Sequence, residues 1–305
     1  MHITALVISY NSTINESETL QSIINTDLAG TELTICIWNN GPHLFKEEDI
    51  HDYIKSCNEK KIKLHIFQDL RNISLSVIYN YIIMKFCFDF ISILDQDSKL
   101  ENSYFQNIKY CDNYELILPK IIINKNKEWI QSHPHSATDA DTLINEGPVT
   151  CNISSVTSGL VFSKSLIKKI KKFRGYIFEE RLGFYGIDVD IFITINTMIN
   201  NKISVNTYCI GSIEHSFASS DPKEYSSPFR YLELSYYKYY ARHNNQKKSK
   251  MKTLWICLRD FLRGKIKFYG FLSLLNFMST NIHPRSKFKI LDDFKETHYI
   301  APKDK

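Results

Sequence analysis

A chain of 305 residues can bury a full core in one large domain or two small ones, and 43% hydrophobic with 13% aromatic residues excludes the disordered class. The net charge of +5 does not call for nucleic acid, because the basic residues gather late in the chain instead of covering a binding face. Seven scattered cysteines without a C-x-x-C pair fit buried thiols in a reducing compartment better than a disulfide framework or zinc site.

The opening residues carry no basic leader or small-residue cleavage site and are predicted as a strand over 3–9. A helix over 16–26 follows, capped by Asn15 or Ser17, then a strand over 33–38 ending in the turn Asn39-Asn40-Gly41-Pro42. Helix 46–59, strand 63–67, helix 75–86 and strand 90–94 continue the alternation, which builds a parallel sheet with helices on both faces. Ligands of such sheets sit beyond the carboxyl ends of the strands. Four polar clusters fall there: Tyr10-Asn11-Ser12, Asn39-Asn40-Gly41, Asp69 to Asn72, and Asp95-Gln96-Asp97-Ser98.

Asp95 and Asp97 stand one residue apart where a strand leaves the core, so in extended backbone they point the same way. A hard divalent cation takes such a pair and completes its shell with water and phosphate oxygens, although a solvated acidic turn has the same pattern. Beyond Ser98 come a strand over 115–123 and a polar excursion over 124–150, in which His133 and His135 read as solvated loop residues rather than a metal site. A strand over 158–162 and a basic helix over 164–173 precede a helix that opens at Asp188 and Asp190 and runs to about 198. Carboxylates are stabilised in a first helical turn, so a purely structural role fits both. A strand over 203–210 closes on Gly211 to Ser216, where His215 is either a rim histidine or a ligand.

Taken in order over roughly the first 245 residues, these segments resemble the inverting family 2 glycosyltransferases of the GT-A fold, in their bacterial rhamnosyltransferase-like branch. The motifs are Val7-Ile8-Ser9-Tyr10-Asn11, Asn39-Asn40-Gly41, Asn72 with Asn80, Leu94-Asp95-Gln96-Asp97-Ser98, Thr157-Ser158-Gly159, Gly186 to Asp190, His215, and Tyr239 to Asn244. The resemblance implies an α/β, Rossmann-like, mixed and mostly parallel sheet over 1–220 that binds a nucleotide sugar, with a helical C-terminal extension over 221–305. It places Asn11, Asn39, Asn72, Asp95 and Asp97 at the donor, Asp95, Asp97 and His215 at Mg2+ or Mn2+, and Gly159 and Asp190 on the acceptor side. Asp188 takes the place of the general base, which inversion requires on the acceptor side. Asp190 is the rival base, pointing about 200° away on the same helix. Departures from the family pattern are Asn39 where Asp is usual, Ser74 where Gly is usual, and Ile187 where an acidic residue usually precedes the base.

The implied donor is dTDP-rhamnose or a UDP-hexose, and the implied acceptor a polyprenyl-diphosphate-linked glycan of O-antigen or capsule assembly. A non-catalytic nucleotide-sugar or glycan-binding member is the alternative class. From Lys247 to Lys267 eight basic residues interleave with aromatic and aliphatic ones against the single acid Asp260. Such a helix lies on an anionic membrane surface, packs on the catalytic domain, or forms a homodimer contact. The apolar stretch 269–278 is too short to span a bilayer, so the expected place is the cytoplasm or the inner face of the cytoplasmic membrane.

Overall fold

The computed structural model describes residues 1–125, 127–215, 227–245, 249–290 and the backbone of 298–300. The expected boundary at 220/221 and two cations of the late basic run, Lys247 and Lys248, lie outside the described residues.

Strands β1 (His2–Ser9), β2 (Glu32–Asn39), β3 (Lys63–Gln68) and β4 (Phe90–Asp95) pair in parallel in the order β3-β2-β1-β4. Between them run α1 (Glu18–Asn25), α2 (Glu47–Glu59) and α3 (Leu75–Lys85). Every residue of β1 from Ile3 onward is buried, the near-continuous burial of a strand covered by helices on both faces. Its side chains divide with a period of two: Leu6 and Ile8 enter one hydrophobic cluster, Ile3, Ala5 and Val7 the other. Of the two candidate caps of α1, Ser17 is the one used, its Oγ accepting from Leu20 N at 3.3 Å.

The second half contains β5 (Ser98–Leu100), α4 (Tyr104–Tyr110), β6 (Leu116–Lys125), β7 (Glu128–His133), β8 (His135–Ser136), β9 (Gly147–Val149), β10 (Ile153–Ser154), β11 (Leu160–Ser163), α5 (Lys164–Arg174), α6 (Ile187–Asn200) and β12 (Thr207–His215). The sheet continues β4-β11-β6-β12-β5, with β11 antiparallel to both neighbours and β12 parallel to β6. Two sequence expectations change here. The 124–150 excursion is not a loop: it returns on β6 as β7 and supplies β8 and β9. Strand β12 does not stop near Gly211 but passes it with a register shift between Ile210 and Ser212, so the glycine marks a bulge rather than an end.

The late segment forms α7 (Pro228–Tyr240), α8 (Lys250–Leu262), α9 (Phe268–Thr280), a 3-10 turn (Pro284–Lys287) and β13 (His298–Ile300), which adds antiparallel to β3. Tyr236, Tyr239, Tyr240, Cys257, Leu274 and Phe277 share one cluster with Leu6, Trp38, Ile93 and Phe162 of the sheet layer. The extension therefore packs into the core of the sheet layers.

Candidate functional site

Strand β4 ends at Asp95, and the chain turns through Gln96 and Asp97 into β5. Because β5 pairs with the end of β12, Ser98 stands opposite His215. That register brings together residues 120 positions apart: His215 Nε2 lies 3.3 Å from Asp95 Oδ2. It lies 3.7 Å from Asp97 Oδ1, and one ligand atom from each of the three residues falls within 4.8 Å of the others. The histidine is buried and the carboxylates are half-buried. Two carboxylate oxygens and an imidazole nitrogen at this spacing fit a divalent ion such as Mg2+ or Mn2+, with coordination positions left for phosphate oxygens and water.

The acidic turn is held rigid by its neighbours. Gln96 Oε1 accepts from Tyr10 N at 2.7 Å while its Nε2 donates to Tyr10 O at 3.1 Å, joining the β4 turn to the β1 turn. Thr19 Oγ1 donates to the Asp95 carbonyl and accepts from Ser98 N at 2.8 Å. Ser158 Oγ accepts from Asp95 N at 3.2 Å and shares a hydrogen bond with Ser98 Oγ at 2.7 Å. The inner glutamine and trailing serine of the motif are thus framework around the two acids.

Asp188 enters from α6. Gly186 caps that helix at φ 83°, and a Cβ there would lie 2.0 Å from Tyr237 Cδ2, so only glycine sets this start. Val189 N donates to Asp188 Oδ1 at 2.8 Å. Burial, joined by the negative charge of Asp95, nevertheless holds the half-buried carboxyl of Asp188 above the usual carboxylate range. The two acids are therefore close enough for the charge of Asp95 to act on Asp188. Buried Tyr79 of α3, hydrogen-bonded to Thr157, lies within the field of both.

The other expected residues divide. Asn11, at φ 51°, is exposed at the end of β1, and its N–H donates to Gly41 O at 2.7 Å. Asn39 is 1% exposed and builds the turn itself: Nδ2 donates to His43 O at 2.8 Å and to Gln68 Oε1 at 3.1 Å, and Oδ1 accepts from Gly41 N at 3.0 Å. Asn72, at φ 52°, accepts on Oδ1 from Arg285 Nη2 at 2.6 Å. Asp190 is buried, with Arg174 Nη1 2.6 Å from Oδ2 and Tyr240 donating to Oδ1 at 3.1 Å. These two contacts tie its carboxylate into the framework. Gly159 is packed closely: at φ 75°, an added Cβ would meet Pro119 Cγ at 2.6 Å and Ile213 Cδ1 at 2.7 Å.

Two participants carried no sequence signal. His133, read as a loop residue, ends β7 half-buried; burial, with His135 and His215 adding, pushes its pKa down to about 4. Arg285, far beyond the motif series, reaches the β3 loop through Asn72 O at 2.8 Å and Ile73 O at 3.0 Å. Only the β6–β7 register and the fold-back of the 3-10 turn reveal them.

No protein-family model matches the chain, and no curated protein matches it. Solved structures do. S. aureus TarS 1–349 in complex with UDP aligns over 98% of this chain and 98% of that one, at 13% identity and a TM-score of 0.50. The same protein in complex with UDP-GlcNAc aligns over 77% of this chain at 14% identity and a TM-score of 0.50, and the match spans 65% of that chain's length. Likeness at such identity is likeness of fold. The fold is GT-A. In this GT-A chain the parallel half presents Asn11, Asp95 and Asp97 at its carboxyl rim, and Asp188, in the first turn of α6, lies within the field of Asp95.

Proposed function

We propose that the chain is a metal-dependent inverting glycosyltransferase that moves a sugar from a pyrimidine nucleoside diphosphate onto a lipid-linked glycan in surface-polysaccharide assembly. The observation that carries this reading is the meeting of Asp95, Asp97 and His215 in one cluster, with Asp188 near enough to feel the charge of Asp95. The branch resemblance of the motifs favours dTDP-rhamnose as donor. The UDP and UDP-GlcNAc held by the TarS structures favour a UDP-sugar, which is the second reading.

Asp95, Asp97 and His215 would hold Mg2+ or Mn2+, which when bound neutralises charge developing on the departing diphosphate. Asn11 lines the donor side, and the Asn39 and Asn72 turns shape it. Asp188 takes the proton of the acceptor hydroxyl as that oxygen bonds to the anomeric carbon; the carbon–diphosphate bond breaks on the opposite face, and the configuration inverts. Gln96, Ser158 and Tyr79 keep the two acidic elements in position, so little reorganisation is required during transfer.

The test uses purified protein with Mn2+ and a panel of dTDP-rhamnose, UDP-galactose, UDP-glucose and UDP-GlcNAc, read by thermal shift and by donor hydrolysis. Asp188→Asn is expected to bind donor as the native protein does while losing about 10²–10⁴-fold in turnover. Asp97→Ala is expected to lose metal-dependent donor binding. Equal loss of binding in both variants would remove Asp188 from the base role. A native protein that binds a donor without ever turning it over would support the non-catalytic member.

A further inference from the structure

Helix α8 carries its apolar side outward. At about 100° per residue, Met251, Trp255, Leu258 and Leu262 fall within an arc of about 60°. They are 73%, 62%, 40% and 74% exposed, whereas the buried side of the helix presents Thr253, Cys257 and Asp260. A surface helix of a soluble protein shows the reverse arrangement. The neighbouring α9 extends the outward patch with Phe268, Tyr269 and Leu272, all exposed. Phe261 of α8 stacks on Phe271 of α9 with centroids 4.9 Å apart, and its ring stands 6.0 Å from Phe268, so the two helices form one platform.

Cations border this platform. Lys252, Arg259 and Arg263 lie along one flank of the stripe, Lys250 lies on the other, and Lys265 and Lys267 stand in the connection to α9. The guanidinium of Arg259 sits 5.9 Å over the Trp255 ring. The single acid of α8, Asp260, turns inward, where Tyr231 donates to it at 3.0 Å and Arg259 pairs with it at 3.0 Å.

We propose that the α8–α9 platform docks on an anionic lipid membrane surface, with the Met251-Trp255-Leu258-Leu262 stripe and Phe268 entering the boundary between headgroups and acyl chains and the flanking cations meeting lipid phosphates. The charge distribution selects this occupant. Pairing two copies through the same face about a two-fold axis would set these cations against their own images with no outward acid to meet them. A lipid surface supplies the opposite charge together with an apolar layer, and interfacial Trp and Tyr suit that depth. Among the described residues no helix is long and apolar enough to cross a membrane, so the contact is one of surface insertion. The inference rests on this face alone and not on the transfer reaction.

The experiment is flotation of the full chain with vesicles of phosphatidylcholine alone and of phosphatidylcholine mixed with phosphatidylglycerol, in parallel with Trp fluorescence. The protein is expected to float only with the anionic vesicles, less so as salt rises, and its emission to shift to the blue; the Trp255→Phe variant should lose that shift. The double variants Trp255→Ser/Leu262→Ser and Lys252→Glu/Arg263→Glu change exposed side chains, and each should bind anionic vesicles at least tenfold more weakly. UDP or dTDP binding, measured on the same preparations, should be retained and separates failure of this inference from failure of the site. Equal flotation of native protein and variants, flotation with neither vesicle, or a concentration-dependent dimer abolished by Trp255→Ser/Leu262→Ser would each overturn the proposal.

Discussion

As the proposed base, Asp188 would react only when ionised, yet the fold makes its ionisation harder. Burial is the largest cause and Asp95 adds to it, against the opposing Val189 N–H. A carboxyl whose folded pKa is raised binds its proton more tightly folded than unfolded. Its stabilising contribution is therefore complete below the unfolded value and is lost as pH rises through the folded one. Ionised Asp188 thus costs stability at neutral pH. Two consequences are measurable. The acid limb of transfer should fall off at a higher pH than an ordinary carboxylate near 4 would give. Asp188→Asn should melt above the native protein at about pH 8, the gap narrowing as pH falls through the folded pKa; a gap that widens on acidification would contradict the assignment. The same scale explains what the sequence could reveal. Asp95 and Asp97 were legible because their spacing is itself the signal. Spacing alone does not separate Asp188 from Asp190, whereas the Arg174 and Tyr240 contacts of Asp190 do.

Among the elements, the 3-10 turn after α9 does more than follow the helix. Arg285 donates to Asn72 and Ile73 in the β3 loop, and its other side faces Glu233 of α7, with Nη1 3.7 Å from Oε1. His283 beside it, 1% exposed, has Nε2 3.3 Å from Glu233 Oε2 and fills the space left by Gly183, where a Cβ would fall 2.3 Å from the ring. This buried cluster fixes Asn72 in a left-handed conformation at the rim where the donor is proposed to lie. Losing the guanidinium removes charge-assisted bonds of about 1.5–3 kcal/mol each. Arg285→Ala is therefore expected to weaken nucleotide binding about tenfold or more, with KM affected more than kcat. Arg285→Lys should recover only part of this because an ammonium cannot form the fork. Calorimetric titration with the nucleotide checks both, and unchanged affinity in Arg285→Ala would confine the cluster to stability. No local pattern announces it, since its members lie on α7, the turn and the β3 loop. The four parallel strands and their helices, by contrast, were legible from alternation and turn residues within each segment.

At the scale of the whole molecule, the two halves of the sheet meet where β11 pairs with β4, and the late helices close one face of the shared core. The alternation of the first hundred residues foretold the parallel half. The antiparallel insertion of β11 between β4 and β6, the return of β7 and the bulge at Gly211 depend on long-range pairing, which single-segment periodicity does not encode.

Strand β13 reaches back to the outer side of β3, matching His298 to Ile66 and Ile300 to Leu64. Without that cover, β3 would offer an unclaimed row of amide and carbonyl groups, a template on which foreign strands assemble. A chain shortened before residue 298 is expected to scatter light increasingly with concentration while the intact protein stays monodisperse. In that respect the last described strand acts as a guard against fibrous self-assembly.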